Sequence, residues 1–293
     1  MKFTKMQGIG NDYVYINTIE NKIKDPKNLA IKVSDRHFGI GSDGLILIDK
    51  SKKADFKMRI LNADGSEAEM CGNGIRCVGK YVYDKGLTTK KELDIETLAG
   101  IKHLSLIVEK GKVSKVTVDM GEPIFDEDKI PVKFYDKKIT NKSTEFVQVD
   151  AEIKDKKKYL TCISIGNPHA VCFIENIDYL NIKKYGRKIE NDKRFPNRTN
   201  VEFVEVLDKN TIKMRVWERG AGETLACGTG SCASVCASIL NDLTYRKVKV
   251  LLLGGTLEIE WNKENNHLYM TGPAVTTFEG KIEDINWETH KMI

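Results

Sequence analysis

Long apolar stretches are missing from this chain of 293 residues. Its longest apolar runs, such as Val250 to Leu253, are far too short to span a bilayer, and Met1 to Gly8 contain no apolar core of signal-peptide length. A cytoplasmic protein with no membrane partner is expected. Paired cysteine spacing is missing as well: Cys71, Cys77, Cys162, Cys172, Cys227, Cys232 and Cys236 include no C-x-x-C, and none has a close histidine at finger spacing. That pattern argues against zinc or any other metal. Seven is an odd count, so at least one thiol stays unpaired, and a chain this long does not depend on disulfide staples. The formal charge of +5 comes largely from lysines in loops, among them Lys137-Lys138 and Lys154 to Lys158, with no aromatic residues interleaved. Such a pattern describes a solvated surface rather than a nucleic-acid face. There is also no Schiff-base lysine motif and no G-x-G-x-x-G following a strand, so no cofactor is expected. With 41% hydrophobic and 30% charged residues, the chain has an ordinary globular composition and a length that suits about two domains.

What the chain does contain, it contains twice. Cys71-Gly72-Asn73-Gly74 returns as Cys227-Gly228-Thr229-Gly230, an offset of 156 residues. At the same offset Lys57-Met58-Arg59 answers Lys213-Met214-Arg215, Glu67 answers Glu223, and Ile9-Gly10-Asn11 answers Ile165-Gly166-Asn167. Seven identical pairs fall between Lys57 and Gly74, where average composition predicts about one. Two related halves, each offering one cysteine in the same setting, place two thiols on opposite faces of one ligand.

Strand-like alternation fills Leu104 to Val108, Val113 to Met120, Val201 to Val206, Thr211 to Trp217, Val248 to Leu252 and Leu257 to Trp261. One helix is predicted after each motif. The first carries Ile75, Val78 and Val82 and stops at Asp84-Lys85-Gly86; the second carries Cys232, Val235, Cys236, Ile239 and Leu240 among small residues that a curved sheet can enclose. The expected fold is α/β (α+β): two pseudo-symmetric domains, each a strongly curved, mostly antiparallel sheet around a central helix, with the active site in the cleft between them. Gly121-Glu122-Pro123 punctuates the pattern. The expected halves are residues 1–119 and 120–271, with the tail 272–293 returning to the first. The lysine-rich stretch Asp126 to Lys158 is weakly patterned and reads as an elaboration at the start of the second half.

A cysteine followed by Gly-x-Gly and a helix sits where unpaired N–H groups and the helix dipole favour a thiolate, so a depressed thiol pKa is expected at Cys71 and Cys227. Glycines let backbone N–H groups approach a ligand closely, and a carboxylate suits such helix ends. With the carboxylate clamped, a thiolate can take a proton from the adjacent carbon while a thiol returns one from the opposite face. This is two-base racemisation or epimerisation of a small amino acid. The other five cysteines read as small buried hydrophobes.

Beyond the motif, Gly8-Ile9-Gly10-Asn11-Asp12, Gly39 to Gly44, Asn62 to Glu67, Gly166-Asn167-Pro168-His169, Arg198 to Val201 and Glu218 to Glu223 complete a set of strings in fixed order. By these strings the chain resembles the diaminopimelate epimerase family, cofactor-independent isomerases of lysine and peptidoglycan precursor biosynthesis that interconvert LL- and meso-2,6-diaminopimelate. The resemblance implies that Cys71 and Cys227 are the acid/base pair and that Gly72, Asn73, Gly228 and Thr229 bind the reacting carboxylate. It further implies that Asn11, Asn62, Asn167, Asn200, Glu218 and Arg219 hold the rest of the substrate, that His169 and Glu218 tune the thiols, and that the protein is a homodimer. It departs at Gly44, where some relatives carry a glutamine. Two alternatives stand beside it: a proline or hydroxyproline racemase-type enzyme, and a thiol redox protein joining Cys71 to Cys227 in turnover.

Overall fold

A computed structural model of the chain describes residues 1–19, 22–133 and 146–282. The first half runs β1 (Lys2–Gly8), β2 (Asn11–Asn17), α1 (Pro26–Ser34), β3 (Gly44–Asp49), β4 (Phe56–Asn62), β5 (Glu67–Ala68), α2 (Gly72–Asp84), β6 (Glu92–Thr97), β7 (Gly100–Glu109) and β8 (Lys112–Gly121). The second runs β9 (Val147–Ile153), β10 (Lys156–Ser164), β11 (Pro168–Phe173), α3 (Ile182–Glu190), β12 (Asn200–Asp208), β13 (Thr211–Glu218), β14 (Gly222–Thr224), α4 (Gly228–Leu240), β15 (Lys247–Leu252), β16 (Gly255–Trp261) and β17 (Leu268–Pro273). A last strand, β18 (Val275–Lys281), pairs antiparallel with β1, so this part of the tail returns to the first half; residues 283–293 lie outside the described residues. No helix among the described residues is long and apolar enough to cross a membrane.

The internal repeat is structural. Helices α1 and α3 begin and end at the same offset of 156, as do α2 and α4. Register follows suit: β2 lies parallel to β3 with Tyr13 opposite Gly44, and β11 lies parallel to β12 with His169 opposite Asn200. Arg59 pairs with Glu67 at 2.7 Å and Arg215 with Glu223 at 2.7 Å. Besides β2/β3 and β11/β12, only β4/β6 and β13/β15 pair in parallel among the described strands, so the sheets are mostly antiparallel. The halves join edge to edge where β17 pairs with β8.

Both motif helices lie inside this wrapping. Ile75, Cys77, Val78 and Val82 of α2 are fully buried, as are Cys232, Val235 and Cys236 of α4, and one continuous apolar core contains both helices. Removing such side chains from water contributes roughly 1.5–3 kcal/mol each before entropy is counted. The small residues of α4, Ala233, Ser234, Ala237 and Ser238, are likewise enclosed. Helix α2 ends as its sequence predicts, with Lys85 donating to Tyr81 O and Gly86 at φ +72°. Helices α1 and α3 were not expected from apolar periodicity. Asp25 and Asn181 cap them, accepting from the Asn28 and Lys184 N–H groups. Within the stretch read as weakly patterned, residues 147–153 form β9, paired with β10; residues 134–145 lie outside the described residues.

Candidate active site

Cys71 and Cys227 are the N-cap residues of α2 and α4. Each is extended, at φ −139° and −126°, and each sulfur accepts an N–H from the glycine three residues on, Gly74 or Gly230, at 3.3 Å. The two helix starts touch. A Cβ added to Gly228 would lie 3.8 Å from Gly72 Cα, with Met270 Sδ at 3.0 Å, and Asn73 Nδ2 donates to Ala226 O at 3.5 Å. Gly72 and Gly228 thus lack side chains where the two halves meet, and Met270 packs against both.

The walls around the two sulfurs have matching geometry and different chemistry. A Cβ on Gly74 would strike Ile46 Cδ1 at 2.7 Å, and one on Gly230 would strike Glu202 Oε1 at 2.7 Å; Ile46 and Glu202 are partners at the repeat offset. So are Asn11 and Asn167, Tyr13 and His169, and Asn62 and Glu218. On the first side, the Cys71 thiol donates to Asn11 Oδ1 at 3.3 Å, and the Tyr13 hydroxyl hydrogen-bonds the same sulfur. On the second, Cys227 lies 3.5 Å from Thr229 Oγ1 and within hydrogen-bonding reach of Glu218, whose carboxylate also accepts from the Thr224 hydroxyl. Fully buried His169 bridges Glu202 Oε1 at 2.7 Å and Asn167 Oδ1 at 3.0 Å.

Asn200 Nδ2 donates to Pro168 O at 2.9 Å, and its Oδ1 accepts the Arg219 N–H at 2.9 Å. The Arg219 guanidinium is anchored on Asn197 O at 3.0 Å. Asn62 closes a tight loop on Ser66, 3.0 Å away. At Gly44 no side chain fits, because a Cβ would stand 2.2 Å from Leu61 O and 2.9 Å from Tyr13 Cε1. A side-chain contact from that position is closed off here.

The depressed thiol pKa values expected from the helix ends are not found. Burial pushes the Cys71 thiol up, and the Gly74 and Asn73 N–H groups, the Tyr13 hydroxyl and Arg76 only partly oppose it. Cys71 as a residue is partly exposed, but its sulfur is enclosed. Burial pushes Cys227 well above the ordinary thiol range, helped by the negative charges of Glu218 and Glu202. Desolvation outweighs a half-charge at a helix end when the sulfur sits inside the core. Burial also raises Glu218, against hydrogen bonds from Thr224 and Cys227. A thiol beside a carboxylate of raised pKa can pass its proton to that carboxylate. The remaining cysteines, Cys77, Cys162, Cys172, Cys232 and Cys236, are fully buried.

Sequence reasoning missed four residues here: Tyr13, Glu202, Arg76 and Met270. Glu202 had a visible signal, a carboxylate in the otherwise apolar run Val201 to Val204. Arg76 is fully buried below the helix starts, donating to Gly72 O at 3.1 Å and Pro273 O at 3.2 Å. In an apolar helix face it too was a flag. Tyr13 and Met270 look like ordinary core residues, and only the fold brings them to the sulfurs.

Comparison with known proteins shows the family. The family model for diaminopimelate epimerase matches residues 3–125 and 161–277. Diaminopimelate epimerase of Acetivibrio thermocellus is 59% identical over 283 residues, covering 97% of this chain and 99% of that protein. The Methanococcus maripaludis protein of the same name is 58% identical over 285 residues, covering 97% and 100%. Among solved structures, a Bacillus anthracis phenazine biosynthesis protein of the PhzF family superposes with a TM-score of 0.69 at 17% identity, covering 97% of this chain and 99% of that one. A hydroxyproline epimerase from Agrobacterium vitis gives 0.61 at 13%, covering 96% and 90%. These two share the fold. Matched by the family model over both of its halves and by relatives over nearly its whole length, this chain belongs to the diaminopimelate epimerase family.

Proposed function

We propose that this protein epimerises LL-2,6-diaminopimelate to the meso isomer without a cofactor, using Cys71 and Cys227 as the two bases. The observation that carries the reading is the contact between two equivalent Cys-Gly-x-Gly helix starts, with Gly228 against Gly72. The substrate carboxylate lies across the first-turn N–H groups at Gly72-Asn73 and Gly228-Thr229, and the α-carbon lies between the sulfurs. One thiolate takes the α-proton, breaking C–H and forming S–H. The electron pair spreads into the carboxylate as an enediolate, which the helix-end N–H groups stabilise, and the opposite thiol protonates the carbon on its other face. Glu218, beside Cys227, is the group that accepts and returns that thiol's proton, and His169 holds Glu202 next to it.

Asn11, Asn62, Asn167, Asn200 and Arg219 hold the remainder of the substrate, a planar guanidinium suiting the distal carboxylate and side-chain amides serving ammonium and carboxylate alike. The halves 1–119, with the described part of the returning tail, residues 272–282, and 120–271 act as two domains that enclose the ligand and exclude water. The working unit is a homodimer, so light scattering should give twice the 33.1 kDa of the chain. A chirality-resolved assay of the purified, reduced protein on LL-diaminopimelate and on L-proline, with nothing else added, tests the reading. Meso-diaminopimelate and no D-proline is the expected result. D-proline formation, or activity only with an electron acceptor, would move the protein to another class.

A further inference from the structure

The amide of Asn11, which also hydrogen-bonds the Tyr13 side chain, faces Asp43 and Cys71, and these two constrain it unequally. Its Nδ2 lies 2.8 Å from Asp43 Oδ2, and its Oδ1 lies 3.3 Å from the Cys71 sulfur. An ionised carboxylate accepts and cannot donate, so the edge of the amide turned to Asp43 must be the amino group. Asp43 itself is pinned. The same Oδ2 accepts the Asp12 N–H at 3.1 Å, and Oδ1 takes Arg36 Nη2 at 2.9 Å, while Arg36 also reaches Asp12 at 2.9 Å and Lys5 pairs with Asp12 at 2.5 Å.

We propose that Asp43 is a positioning residue for Cys71: by fixing the Asn11 amide it presents a carbonyl oxygen, rather than an N–H, to the sulfur. An acceptor there stabilises the neutral thiol, whereas an N–H would stabilise the thiolate. The first half therefore keeps Cys71 protonated at rest, ready to donate. This deepens the proposed epimerase reading and rests on it for its meaning. The other charged or titratable groups around Cys71 are Tyr13 and Tyr15 of β2 and Arg76 and Cys77 of α2; none of them is bonded to Asp43, although its charge acts on Tyr13, and an effect passing through Tyr13 rather than Asn11 would persist in the Asn11→Ala background.

The test reads the thiol directly, without substrate. In full-length protein carrying Cys227→Ala, the rate of iodoacetamide alkylation at Cys71 is followed against pH by peptide mass. Asp43→Ala should move the midpoint to lower pH, by about half a unit, and so raise the rate at pH 8 about threefold. Asn11→Ala should move it the same way. Combined with Asn11→Ala, Asp43→Ala should add nothing. That last arm separates orientation of the amide from simple loss of a negative charge, which would act whether or not Asn11 is present. A profile unmoved by Asp43→Ala, or a shift of equal size in the Asn11→Ala background, overturns the proposal. Asp43→Ser serves as the second variant if thermal melting shows that Asp43→Ala is unfolded. Because alkylation needs no substrate, a failed epimerase assay and a failed alkylation test are separate results.

Discussion

Asn62 and Glu218 stand at equivalent places in the repeat, as do Ile46 and Glu202, and these exchanges set two carboxylates beside the Cys227 sulfur where the first half offers none at the same places. Proton transfer at the second sulfur then depends on Glu218 being ionised. Burial raises the pKa of that carboxyl above the ordinary 4.5, so it becomes protonated, and useless as an acceptor, at a higher pH than an exposed glutamate. The acid limb of kcat/KM should therefore fall as pH drops through this raised value. Glu218→Gln should lower kcat about 10²- to 10⁴-fold and remove that limb, as a pH-rate profile would show. A variant with the same limb would assign the titration to another group. Cys71→Ala and Cys227→Ala should each abolish inversion while leaving the melting temperature within a few degrees. The cysteines were legible in the sequence because chemistry and repetition coincide there, and the caps they form follow from Gly-x-Gly at a helix start. Their raised pKa was not, because desolvation depends on a core assembled from both halves.

At the scale of elements, α2 and α4 repeat each other residue for residue in length and differ in what presses on their third residue. Gly74→Ala would push only the flexible end of Ile46, and the gain in helix propensity, about 0.5–1 kcal/mol, offsets that contact. Gly230→Ala would press on a buried carboxylate that is bonded to His169, and should cost about 1–3 kcal/mol. Urea titration of the two variants checks the contrast, and equal stabilities would contradict it. Strands β7, β8, β13, β15 and β16 were readable from alternation because one face of each is buried, whereas β12, buried on both faces over residues 200–204, was readable from its β-branched and aromatic residues. Helices α1 and α3 were not, since each is nine residues long and its apolar face is brief, Leu29, Ala30 and Val33 in one and Ile182 and Ile189 in the other, so the caps, Asp25 before Pro26 and Asn181 before Ile182, are needed to place them. Strand β9 was hidden in a lysine-rich stretch whose apolar positions, Val147, Val149 and Ile153, become meaningful only once β10 is seen beside them.

In the whole molecule, the order of the chain does not match the order of the halves. Strand β18 crosses back to cover the edge of β1, with Phe3 against Phe278 edge to face at 6.0 Å and Met1 hydrogen-bonded to Ile282. Ending the chain at Ala274 would bare that edge, and should lower stability by about 2 kcal/mol or more, roughly 5 °C in Tm by calorimetry. An unchanged Tm would mean that the first half closes without its tail. What unites the halves chemically is a single tetrahedral carbon served from both sides by thiols, which hold one exchangeable proton each. The most direct measurement is the early time course of the reaction with LL-diaminopimelate in deuterated water, with isotope content read separately in substrate and product. The account predicts meso product bearing one solvent deuteron at the inverted carbon, while the remaining LL substrate stays unlabelled. Unlabelled product, or substrate that gains label as fast as product forms, would contradict it.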